Sequence, residues 1–239
     1  MPMRGGAAAL LLYALLGVAT PAPAAPTVAE NYDSFFLWAG VKPQPVLQAA
    51  RSIYLLESEV VASTPVRLVA QRPAIPQVRD AEVWMVVRVQ TLAWTPAIYD
   101  RVLASLARWR NAGNSVVGVQ IDFDAGTRHL ENYAAFLADL RQRLPADCRL
   151  GITGLLDWSS HGDPAGLKAL AGVVDEVVLQ IYQGRHVIPG YEAYLASLDR
   201  VGLPFRIGLI QGGDWERPET LAANPWFQGY VVFLVNAGG

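Results

Sequence analysis

Cysteine is almost absent. Cys148 stands alone, which excludes an internal disulfide framework and any zinc site built on thiolates. Histidine is nearly as scarce: His129, His161 and His186 lie far apart and share no ligand spacing. Charge is thin, at 17% of residues against 52% in the hydrophobic set. A quarter charged is ordinary for a globular chain, so disorder, a solvating tail and a coiled coil are poor descriptions. No basic run occurs; the 19 Lys and Arg residues are scattered against 21 acids, for a net charge of -2. A nucleic-acid-binding surface is therefore not expected. Lys42 and Lys168 are the two lysines, an arginine bias that genome composition explains more simply than phosphate recognition.

Long apolar runs are also missing beyond the N-terminus. There, Arg4 precedes the apolar stretch Ala7–Ala19, and Ala22-Pro23-Ala24 supplies a small-x-small cleavage pattern. The stretch is too short to cross a bilayer core of ~30 Å as a helix. Residues 1–24 are expected to be a cleaved secretory signal and 25–239 the mature domain, exported to the bacterial periplasm or beyond; an N-terminal anchor is the alternative. No stable membrane insertion is expected after cleavage, Cys148 becomes a buried free thiol, and the mature protein is expected to be a monomer.

What the chain does contain is one recurring element. Runs rich in β-branched and aromatic residues fall at Phe35–Ala39, Ile53–Glu57, Val83–Val89, Val116–Asp122, Leu150–Leu155, Glu176–Tyr182, Arg206–Ile210 and Tyr230–Val235. Most are continuously apolar rather than alternating, as strands covered on both faces are. Helical patterns lie between them. Pro96–Arg110 opens with Thr95 at the N-cap and Pro96 at the first helical position. Arg128–Leu144 sets Leu130, Tyr133, Phe136, Leu137, Leu140 and Leu144 on one stripe, and Pro164–Ala171 and Tyr191–Val201 follow. Strand and helix alternating through eight strands predicts a single α/β domain, a (β/α)8 barrel. An open doubly wound sheet is the alternative, but no Gly-rich phosphate turn follows the first strand, and nothing implies a cofactor. Between the second and third strands, Val66–Ala70 and the loop Arg72–Asp80 replace the helix, and a β-hairpin extension is expected there.

In such a barrel the chemistry gathers where strands run into the following loops. Those ends carry Trp38, Glu57, Arg88, Gln120 with Asp122 and Asp124, Asp157 with Trp158, Gln180 with Tyr182, and Trp215. Trp38, Trp158 and Trp215, like Trp94, offer flat indole faces of the kind that stack on sugar rings. The sharpest segment is Val116-Val117-Gly118-Val119-Gln120-Ile121-Asp122-Phe123-Asp124. Strand alternation sends Val119, Ile121 and Phe123 toward the helices and Gln120, Asp122 and Asp124 into the lumen. Two carboxylates two residues apart on one face, about 6–7 Å at Cα, disfavour joint ionisation, so one pKa is expected to rise and that group to hold a proton near neutrality. The competing description is a structural pair neutralised by an inward arginine such as Arg88.

This segment resembles the fourth-strand signature of the chitinase-like family-18 glycoside hydrolases, Asp-Gly-x-Asp-x-Asp-x-Glu. Gly118 matches the glycine, Gln120 the second acidic position, Asp122 the third and Asp124 the terminal acid. Gln180-Ile181-Tyr182-Gln183 resembles that family's sixth-strand motif. Over its mature length the chain more closely resembles an uncharacterised family of secreted bacterial proteins, a domain of unknown function, through Gln120–Asp124, Gly151–Leu155, Asp175–Gln180 and Pro204–Gly208. The resemblance implies a glycan-processing enzyme acting on an envelope or exopolysaccharide glycan. Asp124 would then be the proton donor, Asp122 the stabiliser, and Tyr182 with Gln180 the group that holds an acetamido substituent. Glu57, if inward, is a separate base or nucleophile. Asp124 in place of Glu, and Gln120 in place of an acid, fit equally a non-catalytic glycan-binding or scaffold module. A metal site on Asp157, His161 and Asp163 is the weakest alternative, since these lie in a Ser/Gly-rich loop. No Gly-x-Ser-x-Gly elbow exists, and Cys148 precedes the fifth strand, at the stability end of the barrel, beside Asp147.

Overall fold

The computed structural model describes residues 25–124, 130–155, 164–191, 195 and 202–236. Eight parallel strands close a barrel: β1 (Ser34–Leu37), β2 (Ser52–Val61), β3 (Glu82–Val89), β4 (Ser115–Phe123), β5 (Arg149–Leu155), β6 (Glu176–Gln180), β7 (Phe205–Ile210) and β8 (Phe227–Phe233). Each pairs with its successor, and β8 closes on β1 through Val232↔Phe35 and Phe233↔Phe36. The parallel, doubly covered sheet is what the unbroken apolar runs require. The expected (β/α)8 class therefore stands, and the open-sheet alternative does not.

The helical layer is uneven. Helices α1 (Pro96–Asn111), α2 (Leu130–Arg143) and α3 (Pro164–Ala171) cover β3 to β6. Between β1 and β2, and between β7 and β8, the chain makes only short 3-10 turns, Pro45–Ala49 and Glu219–Ala223. Between β2 and β3 the strand Arg67–Ala70 folds back antiparallel on the end of β2, which is the expected hairpin. Thr95 occupies the N-cap of α1, but its side chain makes no capping bond; its carbonyl takes the amides of Ile98 and Tyr99 instead. The expected stripe of α2 is buried throughout, from Leu130 to Leu144. The expected helix Tyr191–Val201 lies almost wholly outside the described residues, as do residues 1–24. Among the described residues no helix is long and apolar enough to cross a membrane.

Two cores result from the alternation. Outward residues such as Val83, Met85, Val119, Ile121, Leu150 and Ile152 pack beneath the helices. Inward residues Phe36, Tyr54, Leu56, Trp84, Val86, Val178, Val231 and Phe233 fill the lumen. The aromatic rings lie nearly parallel there: Tyr54 on Trp84 at 5.6 Å between centroids, and Phe36 on Phe233 at 4.5 Å. Trp84 needs space from its neighbours. A Cβ on Gly118 would sit 2.4 Å from the indole, and one on Gly151 would sit 3.0 Å away. The glycine that opens the β4 motif is thus present because an indole occupies the place of its side chain.

Below the rings, at the N-terminal end, charge is buried in pairs. Tyr54 donates to Glu176 at 2.5 Å, and Arg206 bridges the other oxygen of Glu176 at 3.2 Å. Burial, and next the Glu176 charge, push the Tyr54 phenol well above its usual range, so it stays a donor. Cys148, just before β5, is buried, and burial pushes its thiol up; that is the inert setting expected for it.

Candidate active site

The upper lumen is built by the C-terminal halves of β2 to β6. On β4 the expected phase is observed: Val119 and Ile121 belong to the outer core, Phe123 packs against it, and Gln120 and Asp122 are buried on the other face. Register places Val86 and Gly151 beside Gln120, and Arg88 beside Asp122. Thr153, the next inward residue of β5, donates its hydroxyl to Asp122 Oδ1 at 2.7 Å. Asp124 follows the end of β4 and is exposed.

Asp122 is only 7% exposed, and its pKa is pushed up to about 6. Burial is the leading cause. The Thr153 hydrogen bond and the Arg88 charge pull the other way, while Asp124 and Glu59 add smaller upward pushes. The sequence led us to expect two like charges to raise one pKa. The dominant cause is instead removal from water, with the second aspartate a lesser contributor. The raised group is also Asp122, the partner to which the sequence assigned the charged role.

Gln120 is fully buried, and neither end of its amide has a hydrogen-bond partner. An amide so placed is uncommon in a finished core, where buried polar atoms are almost always paired. Gln180, at the end of β6, is half-buried. Tyr182 lies beyond a break at Ile181, in a short hairpin Tyr182–Gln183 with His186–Val187, so the sixth strand is two residues shorter than expected. Its ring packs edge-on against Phe233 at 5.6 Å. Burial first, and then the Asp122 charge, raise its phenol above the ordinary value, so Tyr182 is a neutral donor across the working pH range.

Arg88 does not clamp Asp122. Its Nε lies 3.8 Å from Glu59, and its guanidinium sits over the Trp38 ring at 5.4 Å. Glu59 also accepts Gln90 Nε2 at 2.7 Å and Gln71 Nε2 at 3.3 Å. Sequence reasoning chose Glu57 and overlooked Glu59, and the reason is a β-bulge. The β2–β3 register slips between Leu56 and Ser58, so one residue is extra and the inward phase moves from even to odd numbers. Tyr54 and Leu56 face the lumen before the slip; afterwards Glu59 pairs with Arg88, while Ser58 and Val60 pair with the outward Val87 and Val89. Glu57 stands at the slip, 8% exposed, with Oε2 unpartnered. Thr153 was also missed, although its alternation with Gly151 is enough to place it.

Trp38 alone among the described candidate indoles stands in this cluster. Trp215 is buried against Tyr191 and Tyr230 in the outer core, and Trp94 packs on Tyr99 and Phe136. The buried Trp215 has no face open to a sugar, and Trp94 is half-buried. Asp157 and Trp158, with His161 and Asp163, lie outside the described residues.

The comparisons with known proteins follow this geometry. Residues 80–193 match a domain of unknown function, DUF3142. The DUF3142 stretch runs from β3 through the hairpin after β6, so it holds Arg88, Gln120, Asp122, Asp124, Thr153, Gln180 and Tyr182; Trp38, Glu59 and Trp215 lie outside it. No curated protein matches the sequence. Among solved structures, the chitinase domain of the spore coat protein CotE from Clostridium difficile is similar at a TM-score of 0.52 and 14% identity, over 84% of this chain and 70% of that one. The xylanase and alpha-amylase inhibitor XAIP-II from Scadoxus multiflorus gives 0.52 and 10%, over 84% and 92%. The spore cortex-lytic enzyme SleL from Bacillus cereus gives 0.50 and 14% over 74% of this chain, which spans 49% of that one. These likenesses show the barrel fold and nothing finer.

Proposed function

We propose that the protein is an exported glycan-processing enzyme, a glycoside hydrolase-like barrel acting on a cell-envelope or exopolysaccharide glycan. Asp122 and Asp124 are its reacting pair. The observation that carries this reading is Asp122: a carboxyl buried at the C-terminal end of an inward strand, held by Thr153, and raised to about 6. A carboxylic acid that keeps its proton close to neutrality is what acid catalysis of glycoside cleavage needs. Its neighbours supply neutral donors, Tyr182 and Gln180, and a half-buried indole at Trp38.

In the proposed reaction the proton that Asp122 keeps to about pH 6 is delivered through Asp124, the exposed carboxyl, to the glycosidic oxygen as the bond to the anomeric carbon breaks. The bonding electrons leave with that oxygen. Asp122, two residues back, is left ionised by that transfer and stabilises the developing cation. Tyr182 and Gln180 orient the substrate's acetamido carbonyl oxygen, whose attack on the anomeric carbon removes the need for a second nucleophilic carboxylate. Water then adds at the anomeric carbon and completes the hydrolysis, and its proton returns through Asp124 to Asp122. Residues 1–24 serve as a cleaved export signal in this account.

The second reading is a non-catalytic glycan-binding or scaffold module. It is favoured by Gln120 and Asp124, which depart from the hydrolase signature, and by the inhibitor proteins among the structural neighbours. The fold supports both uses, so the test must be chemical. Purified protein should release reducing ends from at least one member of a broad envelope and exopolysaccharide panel, and Asp124→Asn should abolish release while keeping binding. No release from any glycan, with Asp124→Asn changing affinity only slightly, would establish the binding module.

A further inference from the structure

The uneven helical layer leaves a cavity of about 770 Å3 on the outer wall of the barrel, beside β1 and β2. These strands turn Leu37, Ile53 and Leu55 outward, yet the segments that follow them form only the 3-10 turn Pro45–Ala49 and the extended stretch after the hairpin strand Arg67–Ala70. The cavity lies between those two segments. It runs from Arg72, near the end of β1, down to Ala50 and Ala81 at the foot of β2 and β3. Leu47, Ile53, Leu55 and Val78 make its walls mostly apolar, and Pro45 and Pro76 stiffen them. Both the size and this kind of lining are those of a small-molecule site.

The walls are pinned from either side. The Val78 amide donates to Asn114 Oδ1 at 2.8 Å, and Gln44 Nε2 donates to the Val235 carbonyl at 2.9 Å. At the upper end Arg72 Nε donates to the Leu56 carbonyl at 2.8 Å, and its Nη2 donates to the Leu37 carbonyl at 2.9 Å. Those bonds use two of the five N–H groups of a guanidinium and hold it half-buried in the cavity lining. Among the described residues no carboxylate pairs with it; burial alone acts on its pKa, downward. A charge kept in so dry a place is ordinarily met by an opposite one. Bridging two carbonyls needs N–H donors but not a charge, so that role leaves the cation unexplained. Arg79 and Asp80 also line the cavity, at its far end, where both are exposed and opposite in sign.

We propose that this cavity binds a monocarboxylate with an apolar chain, a ligand of the fatty-acid class, with the carboxylate on Arg72 and the chain along Leu47, Ile53, Leu55 and Val78. The site lies on the outer wall, apart from Asp122, and is independent of the glycan-processing reading. The planar fork of an arginine matches the two oxygens of a carboxylate, and each methylene laid on the apolar wall adds to the affinity. A doubly charged phosphate monoester suits the cavity less, because one half-buried guanidinium faces it and Asp80 shares the lining.

The test is amide chemical-shift titration of the full mature chain with decanoate, against decanol and decyltrimethylammonium as chain-matched neutral and cationic probes, all below the concentrations at which they aggregate. Decanoate should shift Leu55, Val78 and Ala81 saturably and bind at least about tenfold more tightly than decanol, the worth of one charge-assisted hydrogen bond. The cation should bind most weakly. Arg72→Met, which keeps the stem, should bring decanoate down to the level of decanol. Arg72→Gln, which keeps donors for the carbonyls and removes only the charge, should do the same, whereas Arg72→Lys should retain most of the preference. Leu47→Trp, which narrows the groove and leaves Arg72 in place, should weaken acid and alcohol alike. No shift at these residues, equal affinity for decanoate and decanol, or a preference unchanged in whichever of Arg72→Met and Arg72→Gln keeps its circular dichroism would overturn the inference. So would a concentration-dependent dimer that shifts the same amides without decanoate, which would assign the cavity to a second copy of the chain.

Discussion

The lower and upper halves of the same lumen are built on opposite principles. Below, Trp84, Tyr54, Phe36 and Phe233 stack, and the buried polar groups Tyr54, Glu176 and Arg206 answer one another. Above, Gln120 has no partner at either end of its amide, and Asp122 is protonated up to about pH 6. Paired burial serves stability, because each charge is compensated where it lies. Unpaired burial costs stability, and a fold keeps it where something else is to be bound or protonated.

Four perturbations bear on that contrast. The largest effect belongs to the upper half. Asp122→Asn should lower turnover of the cleaved glycan by about 10²-fold or more, the range of acid-base contributions, with no loss of melting temperature, since it removes a buried ionisable group. Next, Trp84→Ala should cost about 3–5 kcal/mol in chemical denaturation, the usual price of deleting a packed aromatic ring. It should leave the Asp122 titration near 6, because the ring lies a layer below. Gly118→Ala should destabilise by about 1–3 kcal/mol or prevent folding, because the added methyl meets the indole. The double variant Gly118→Ala with Trp84→Leu should recover part of the loss. The smallest effect sharpens the upper half: Thr153→Val removes a bond that favours the charged form, so the alkaline limb of activity, where Asp122 loses its proton, should move up by about 1 pH unit.

Stability against pH separates the halves again. Asp122 ionises at about 6 in the folded protein against 3.8 ordinarily, so the native state binds the proton more tightly than the unfolded chain does. Stability contributed by this group is complete below about pH 4, declines as pH rises through 6, and is flat beyond. The span is roughly 3 kcal/mol at most. The difference in unfolding free energy between wild type and Asp122→Asn, followed by urea denaturation from pH 4 to 7, should show that decline. A flat difference would place the carboxyl in water.

Much of this was legible beforehand, for physical reasons that differ by residue. Continuous apolar runs announce strands covered on both faces, so β3 to β7 and the barrel class could be read directly. Period-two alternation placed Gln120 and Asp122 inward because β4 is regular over that length. The same rule failed on β2, where one extra residue at Glu57 reverses the phase and puts Glu59 beside Arg88; a bulge leaves no mark in composition. Trp215 misled because an indole at a strand end reads alike whether it faces the mouth or, as here, packs into the outer core against Tyr191 and Tyr230. The hydrogen bonds from Gln44 to Gln211 and from the Lys42 amide to Asn236 join residues up to 194 positions apart, and no local pattern reports such an assembly.

The most direct measurement is the titration of Asp122 itself, by carboxyl-carbon NMR on selectively labelled protein with Asp122→Asn used for assignment. The account predicts an apparent pKa near 6, moving higher in Thr153→Val and staying near 6 in Trp84→Ala. A midpoint at or below 4, unmoved by Thr153→Val, would show a solvated or clamped carboxylate and contradict the claim that this end of the barrel is kept for proton transfer.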